Sequence, residues 1–274
     1  MRILGGRLGF WFLLVLGLCS AALAQQAPPS GRQVQQATAT VPADHPLAPV
    51  IQWAHAAHKR MEMVADYSCT FVKRERIGDE LTEHQYLAIK LRHKPFSVYV
   101  NFLAPASVKG QEAIYVEGQN DGHLLAHSTG LKDTLIGTLK LKPDGMLAMK
   151  GNRHPITEMG LLNLTGKIAK VCEQSVPFNE SQVTYLPGAK VNGRVCTCIQ
   201  ILNPTPRTEL HHHLRRIFVD DELQIPIRFE TYGWPAKPGE EPPLEEEYTY
   251  LNLKFNHGFT DHEFDVKNPS YRFK

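Results

Sequence analysis

The sequence LAIKLRHKPFSVYVNF, residues 87–102, decides the fold of this chain. Apolar and polar side chains alternate along it in two runs, the first at Leu87, Ile89 and Leu91 and the second at Phe96, Val98, Val100 and Phe102. A period of two is typical of β-strands that bury one face. No helical pattern separates the two runs, so they are predicted to pair as antiparallel neighbours.

The same pattern continues on both sides of this stretch. Strand-like sequence begins at Tyr67, and Ile114 and Val116 lead into Asn120-Asp121-Gly122, which is typical of a tight turn. Residues from about 67 to 140 are therefore predicted to form an antiparallel meander of about five strands. Five further strands are predicted at roughly 181–186, 191–202, 209–220, 225–233 and 245–256.

Two segments have the period of an α-helix instead. The apolar residues of the first are Val50, Ala54, Ala57, Met61 and Val64, and those of the second, from about 155 to 173, are Leu161, Leu164, Ile168 and Val171. About ten antiparallel strands curl and leave a concave face that needs cover. The predicted fold class is therefore α+β: a curved antiparallel sheet forming a half-open β-barrel of about ten strands, with an N-terminal helix and a mid-chain helix covering the concave face.

Residues 1–24 are typical of a secretory signal peptide. Arg2 and Arg7 precede an apolar run at 9–18, and the segment closes on Ala22-Leu23-Ala24. Lipidation of Cys19 and retention of the segment as an uncleaved anchor are the alternatives. Residues 25–44 are predicted to be a flexible linker. Residues 45–274 are predicted to be a single domain, exported to the periplasm or another extracytoplasmic space.

The charge of the chain is nearly balanced. The formal net charge is +2, which Arg2 and Arg7 account for, so the mature chain is close to neutral. No dense basic stripe is present, and a nucleic-acid partner is therefore not expected. The longest charge run, Glu245-Glu246-Glu247, follows Pro242-Pro243 and is interpreted as a solvated loop end.

Four cysteines remain after the predicted cleavage: Cys69, Cys172, Cys196 and Cys198. An even number in an exported protein predicts disulfides. Cys196 and Cys198 are two apart in a strand, so they lie on one face at about 6.6 Å, the far edge of bridging geometry. Each is expected to pair with Cys69 or Cys172, and both connectivities stay open. A zinc site is less favoured because no Cys-x-x-Cys is present.

Several longer strings have counterparts in a known family: DYSCTFVKRER (66–76), RHKPFSVY (92–99), GQEAIYVEG (110–118), PITEMG (155–160), FVD (218–220) and IPIR (225–228). Over about 46 to 273 the chain resembles the bacterial domain of unknown function 1571. That family is distantly similar to periplasmic lipoprotein carriers and localisation factors of the LolA and LolB type. The resemblance implies a half-open β-barrel with a helical lid over an apolar cavity that holds acyl chains, and it brings no catalytic residues.

The candidates for the cavity lining are apolar residues of the strands and the second helix: Phe96, Val98, Val100, Phe102, Leu161, Leu164, Leu251, Leu253 and Phe255. An ordinary packed core would use the same residues. Arg74, Arg76 and Arg92 are the candidates for contact with an anionic head group at the cavity rim. The alternative for these arginines is ion pairing across strands with Glu75, Glu80 or Glu112.

Histidine clusters raise the question of a metal. His211 and His213 would share one face of a strand, a spacing that suits zinc or copper, but no third ligand is identifiable and a polar strand face is favoured. His55, His58 and Glu62, and likewise Asp261-His262-Glu263, are interpreted as solvated surface. No hydrolase motif is found. We predict no metal, no cofactor and no enzymatic activity.

The first functional hypothesis is an exported binding protein that shelters a lipid or lipoprotein acyl chain. Each methylene removed from water contributes about 0.8 kcal/mol, so a cavity can hold a chain without any reaction. The alternative is an envelope structural module that binds another protein through an edge strand or the Pro-rich loops. The expected partners are a hydrophobic ligand or an envelope protein, with peripheral or transient membrane contact.

Overall fold

One curved antiparallel sheet organises the chain. In the computed structural model, the described residues are 41–129 and 137–273. Their strands are β1 (Asp66–Ile77), β2 (Glu80–Leu81), β3 (Gln85–Arg92), β4 (Ser97–Ala104), β5 (Glu112–Val116), β6 (Leu124–His127), β7 (Leu139–Leu141), β8 (Gln182–Val191), β9 (Arg194–Leu202), β10 (Leu214–Asp220), β11 (Pro226–Tyr232) and β12 (Leu244–Phe255).

The sheet is not closed. Its strand order is β7-β6-β5-β4-β3-β1-β12-β11-β10-β9-β8, with β2 paired to β1, so β7 and β8 are the two edges of the described sheet. The predicted half-open barrel is confirmed. The described sheet has twelve strands instead of the predicted ten. The strands β2 and β7 have only two and three residues, which is too few to show an alternation in the sequence.

The two meanders meet at the pairing of β1 with β12. Phe71 lies opposite Tyr250, and Glu75 lies opposite Glu246. The first strand and the last strand of the chain therefore form the middle of the sheet. This pairing joins residues that are far apart in sequence, and local periodicity carries no information about it.

Within the described residues, two long α-helices and one short one accompany the sheet: α1 (Ala48–Glu62), α2 (Met146–Met149) and α3 (Leu161–Ser175). Proline stands in the first turn of α1, where its missing N–H has no helical partner to lose. Four of the five residues of the predicted apolar face, Val50, Ala54, Ala57 and Met61, are buried on α1, whereas Val64 lies beyond the end of the helix at Glu62.

Helix α3 begins six residues later than predicted, after a 3₁₀ turn at Ile156–Glu158. Its N-cap is Gly160, whose φ of 109° is in the left-handed region. A Cβ at this position would lie 2.6 Å from Leu91 Cδ1. Glycine is therefore required both by the backbone conformation and by the close approach of the helix to β3.

The helices pack on each other and on the inner face of the sheet. The main core contains buried residues of α1 and α3 together with residues of β1, β3, β4, β9 and β10. His58 Nδ1 of α1 lies 3.1 Å from Thr165 Oγ1 of α3, and His55 Nε2 lies 2.7 Å from Glu173 Oε1. The two helices thus cover the concave face, as the sequence predicted.

The outer face of the first meander is covered by the C-terminal segment. Phe259, Phe264, Tyr271 and other residues of this segment pack on Tyr99, Ile114 and Val116. At its start, the buried carboxylate of Asp66 accepts hydrogen bonds from the backbone N–H groups of residues 257, 258 and 259, at 2.6, 3.0 and 2.9 Å. These bonds hold the segment against the beginning of β1.

The predicted signal peptide and residues 25–40 of the predicted linker lie outside the described residues, so these assignments stay predictions. Within the described part of the chain, no helix combines the length and the apolar character that a bilayer span requires.

Candidate functional site

A partly open cavity of about 930 Å³ lies in the concave face. Its walls are strands β1, β3–β7, β11 and β12, the segment between β7 and α3, and one side of α3. Its apolar and aromatic lining comprises Phe71, Leu87, Val100, Phe102, Val108, Leu124, Leu139, Leu141, Leu147, Ile156, Met159, Leu164, Phe229, Tyr248 and Tyr250. The volume is that of typical small-molecule sites, which are about 300–1,000 Å³.

The aromatic wall of the cavity follows from strand pairing. Phe71 and Tyr250 are directly opposite on β1 and β12, and their ring centroids are 4.9 Å apart. Tyr248, two residues earlier on the same face of β12, stacks on Phe71 with centroids 5.6 Å apart. Paired aromatic rings at these distances pack favourably beyond their area, and they form a rigid apolar surface.

One end of the cavity is charged instead of apolar. Lys73 and Glu75 follow Phe71 on the inner face of β1, and both are buried. Lys73 Nζ donates to Glu75 Oε2 at 2.8 Å and to Asn152 Oδ1 at 2.6 Å. These groups satisfy one another, which removes most of the penalty for burying a charge.

Glu246 is the second buried carboxylate at this end, directly opposite Glu75 in the sheet. Burial disfavours its ionised form. The hydrogen bond and charge of His154, whose Nε2 lies 2.8 Å from Oε2, together with the charge of His212, outweigh burial and lower the pKa of Glu246 to about 2. Glu246 is therefore an anion at neutral pH.

The hydroxyl of Tyr248 stands between the two carboxylates. It is 2.5 Å from Glu75 Oε1 and 3.1 Å from Glu246 Oε2. Burial, followed by the charges of Glu246 and Glu75, raises the pKa of Tyr248 far above its usual value. Tyr248 thus remains a hydrogen-bond donor, and the charged end of the cavity is a closed network rather than a set of free groups.

The rim of the cavity carries further lysines. Lys167 Nζ donates to Glu158 Oε2 at 2.9 Å. Lys150 and Lys170 also line the cavity and are exposed, and neither has a carboxylate partner among the described residues. Cations without partners are therefore found at the mouth, and paired charges are found inside.

The predicted lining residues fall into three groups. Val100, Phe102 and Leu164 line the cavity. Val98 and Leu161 are fully buried in the core beside the helices. The remaining four, Phe96, Leu251, Leu253 and Phe255, are partly buried and pack against that core. The cavity occupies only one end of the inner face, which residue alternation cannot indicate.

None of the three predicted head-group arginines lines the cavity. Arg74 Nε donates to the carbonyl of Thr82 at 3.0 Å. Arg76 donates to the carbonyls of Asp79 and Leu244, and its Nε lies 3.8 Å from Glu245. Arg92 is on the outer face, 2.9 Å from Asp261, with its guanidinium 5.0 Å from the ring centre of Phe264.

The predicted disulfides are not formed: Cys69, Cys172, Cys196 and Cys198 are free and buried. Cys69 on β1 and Cys196 on β9 are four strands apart in the sheet order, about 19 Å along the sheet, far beyond bridging distance. Cys172 is on α3 within the core. Burial raises the pKa of Cys172 to about 11, so its thiol stays protonated and weakly reactive.

The histidines are held by other contacts. His213 Nδ1 lies 2.9 Å from the carbonyl oxygen of Asn203, and β10 begins only at Leu214, so the histidine run precedes the strand in which it was predicted. The described residues contain no group of three or more His, Cys, Asp or Glu arranged to hold a metal.

The charged end of the cavity was missed because Glu245-Glu246-Glu247 was interpreted as a solvated loop end. In the structure these residues belong to β12, and Glu246 and Glu247 are buried. A signal was present in the sequence: Glu246, Tyr248 and Tyr250 alternate with a period of two, and so do Phe71, Lys73 and Glu75. Only the β1–β12 pairing shows that the two runs face each other.

The chain thus has a half-open antiparallel sheet with two helices on its inner face and an apolar cavity beside them. Residues 64–273 match the family described as protein of unknown function DUF1571. The match covers most of the chain, and the chain therefore belongs to that family, which confirms the expected resemblance. No curated protein matches the sequence.

Solved structures similar to this chain include three bacterial proteins. A DUF1329 family protein from Desulfovibrio piger has 11% identity and a TM-score of 0.40, with 80% of this chain and 97% of that chain covered. The lipoprotein LppX of Mycobacterium tuberculosis has 10% identity, a TM-score of 0.44 and coverage of 79% and 98%. A LolA superfamily protein from Nitrosomonas europaea has 11% identity, a TM-score of 0.34 and coverage of 78% and 96%. At these values, no property of these proteins is transferred to the chain.

Proposed function

We propose that this protein is an exported, non-enzymatic binding protein that shelters a lipid or a lipoprotein acyl chain in its concave cavity. The observation that carries the proposal is the cavity of about 930 Å³ with its mainly apolar wall. Apolar surface that faces solvent is costly, and an acyl chain that covers it gains about 0.8 kcal/mol for each buried methylene.

The distribution of charge favours an amphiphilic ligand with its head group at the mouth. The inner charges, Lys73, Glu75 and Glu246, already have partners and gain little from a ligand. Lys150 and Lys170 are exposed at the rim without carboxylate partners in the described residues. A carboxylate or phosphate head group beside them would gain charge-assisted hydrogen bonds, with its acyl chain against Phe71 and Phe102.

The second candidate is a protein-binding envelope module without a small ligand. It is favoured by the edge strand β8 of the described sheet, where the exposed apolar side chains of Tyr185 and Leu186 lie on the strand and that of Val195 lies on its neighbour β9. Edge strands of this kind are templates for pairing with another chain. The two candidates differ in whether the cavity is used.

The proposed location is the periplasm or another extracytoplasmic compartment. Its support is the signal-like composition of residues 1–24, because a chain that begins in this way is directed to export. Four protonated, buried thiols are compatible with an oxidising compartment, since oxidants act on exposed thiolates.

The test is to fill the cavity and measure lipid binding. Ala126 lines the cavity on β6, so Ala126→Trp should reduce the affinity for a fluorescent fatty acid by about tenfold or more. Ala88→Trp is the matched control, because Ala88 alternates with the buried Leu87 and Ile89 and does not belong to the cavity lining. Its affinity should equal that of the parent.

Native mass spectrometry of the exported protein provides the second readout. A co-purifying lipid that is present in the parent and in Ala88→Trp, and lost in Ala126→Trp, supports the carrier. A parent protein that binds no fatty acid and carries no lipid rules it out and leaves the protein-binding module.

A further inference from the structure

The short helix α2 places exposed apolar side chains at the mouth of the cavity. Met146 is 89% exposed and Leu147 is 69% exposed, and they are adjacent in the chain. Leu147 is also part of the cavity lining. Large apolar side chains that stand in water beside a binding cavity mark a contact surface rather than a stable free surface.

Lysines flank these two side chains. We call residues 142–150 the rim turn. Lys142 and Lys150 at its ends are exposed, and no carboxylate within the described residues pairs with either. Asp144 is the one acidic residue of the rim turn. The turn is therefore apolar at its centre and carries a net positive charge.

We propose that the rim turn docks on the surface of a bilayer that contains anionic phospholipids. Met146 and Leu147 enter the interface between head groups and acyl chains, and Lys142 and Lys150 lie among the anionic head groups. Surface-bound segments combine apolar side chains with lysines in this way, since apolar burial and attraction to anionic lipid add together.

Docking would join the cavity to the membrane directly. Because Leu147 belongs both to the rim turn and to the cavity wall, the mouth of a docked protein faces the bilayer interface. An acyl chain can then move between bilayer and cavity without crossing bulk water, where its exposed methylenes would be costly. The transfer of an acyl chain rests on the proposed carrier function, but the docking of the rim turn on the bilayer does not.

A fluorophore that responds to its environment can report the contact at single positions. In a Cys19→Ser background all remaining native cysteines are buried, so Met146→Cys can be labelled selectively with a nitrobenzoxadiazole probe. Vesicles of phosphatidylcholine with phosphatidylglycerol should increase its emission several-fold and shift it to the blue. Vesicles of phosphatidylcholine alone should have a much smaller effect.

Met63→Cys is the matched control, because Met63 is 75% exposed at the end of α1 and is not part of the cavity lining. Its probe should not respond to either vesicle. An equal response at positions 63 and 146, or no response at position 146, would overturn the proposal. So would a response at position 146 that is the same with and without phosphatidylglycerol.

The charges can be tested separately from the apolar side chains. Lys142→Gln/Lys150→Gln should weaken binding to the anionic vesicles by about tenfold or more. Lys190→Gln/Lys254→Gln removes two exposed lysines from β8 and β12 and should leave binding to the anionic vesicles unchanged. Equal effects of the two pairs would show a general attraction of a cationic protein and would contradict docking through the rim turn.

The same variants test membrane docking independently of the proposed carrier function. Labelled Met146→Cys combined with Ala126→Trp should keep its response to vesicles while fatty-acid binding is lost. If the parent binds no fatty acid but position 146 still responds, the carrier fails and membrane docking stands. If fatty acid binds and position 146 does not respond, docking fails and the carrier stands.

Discussion

Both halves of the sheet present alternate apolar side chains to the inner face, but one half is tightly packed and the other borders the cavity. In the packed half, strands β9 and β10, the inner residues Ile199, Ile201 and Ile217 are at most 3% exposed. In the open half, strands β4–β7, the inner residues Phe102 and Ala126 face the cavity instead. The strands alone do not explain this difference, since both halves present apolar side chains inward.

The difference comes from what covers each half. The packed half lies under α3, whose Ile168, Ala169 and Cys172 belong to the same core as the inner strand residues. The open half lies under the segment between β7 and α3, where α2 has a single turn and much of the remaining chain is irregular. A regular helix fits side chains into the sheet, whereas an irregular cover leaves space, so the cover determines where a ligand fits.

The largest expected difference between the halves is in stability. Ile217→Ala removes fully buried side-chain volume from the packed half and should lower the free energy of unfolding by about 2–5 kcal/mol. Phe102→Ala removes a side chain that already borders open space and should cost only about 1 kcal/mol. Urea unfolding measures both values.

The effects of these two substitutions on fatty-acid affinity should have the opposite order to their effects on stability. Phe102→Ala should weaken fatty-acid binding, and Ile217→Ala should leave it unchanged under conditions where the variant is folded. Equal losses of stability at the two positions would mean that the open half is as tightly packed as the other, and the comparison would fail.

Local sequence patterns were sufficient for the elements and the fold class. The apolar spacing of α1 predicts its buried face correctly, and the alternation in residues 87–102 predicts β3 and β4. These predictions succeed because a helical face and a strand face are determined by neighbours in sequence. The start of α3 was placed too early because Pro155 opens a 3₁₀ turn before the helix.

The candidate site depends on contacts that no local pattern contains. The network of Glu75, Tyr248 and Glu246 exists only because β1 pairs with β12. The disulfide prediction failed for a related reason: an even number of cysteines says nothing about which strands carry them. Export predicts that disulfides are possible, but the sheet order decides whether two thiols meet.

Another prediction concerns the C-terminal segment, which covers the outer face of the open half. Asp66→Asn keeps one acceptor oxygen for the N–H groups of residues 257–259 but removes the charge, and should lower the free energy of unfolding by about 2 kcal/mol. Urea unfolding with hydrogen exchange at residues 257–259 measures the change. Fatty-acid affinity should stay constant, because these bonds are not in the cavity. A matching loss of affinity would show that the cavity depends on the C-terminal segment.

The last expected effect is on the pH dependence of stability, and the two halves should differ in the pH range where it occurs. Burial, followed by the charge of Arg215, lowers the pKa of His212, beside the packed half, from 6.5 to about 4. The unfolded chain therefore binds a proton that the folded chain excludes. Stability should fall by about 3 kcal/mol as the pH drops from about 6.5 to about 4. His212→Gln should remove this loss.

Glu246, at the cavity of the open half, acts in a lower range. His154 and His212 lower its pKa from 4.5 to about 2 against the effect of burial, so the folded chain releases a proton that the unfolded chain retains. Its contribution is present above about pH 4.5 and is lost, by about 3 kcal/mol, as the pH falls towards 2. Glu246→Gln should therefore change the pH dependence of the unfolding free energy only below about pH 4.5, whereas His212→Gln should change that dependence mainly above pH 4. Urea unfolding from pH 7 to 3 compares the two variants with the parent. If both substitutions change the unfolding free energy in the same pH range, the protonation of Glu246 is coupled to that of His212. The charges at the polar end of the cavity then interact with those beside the packed half.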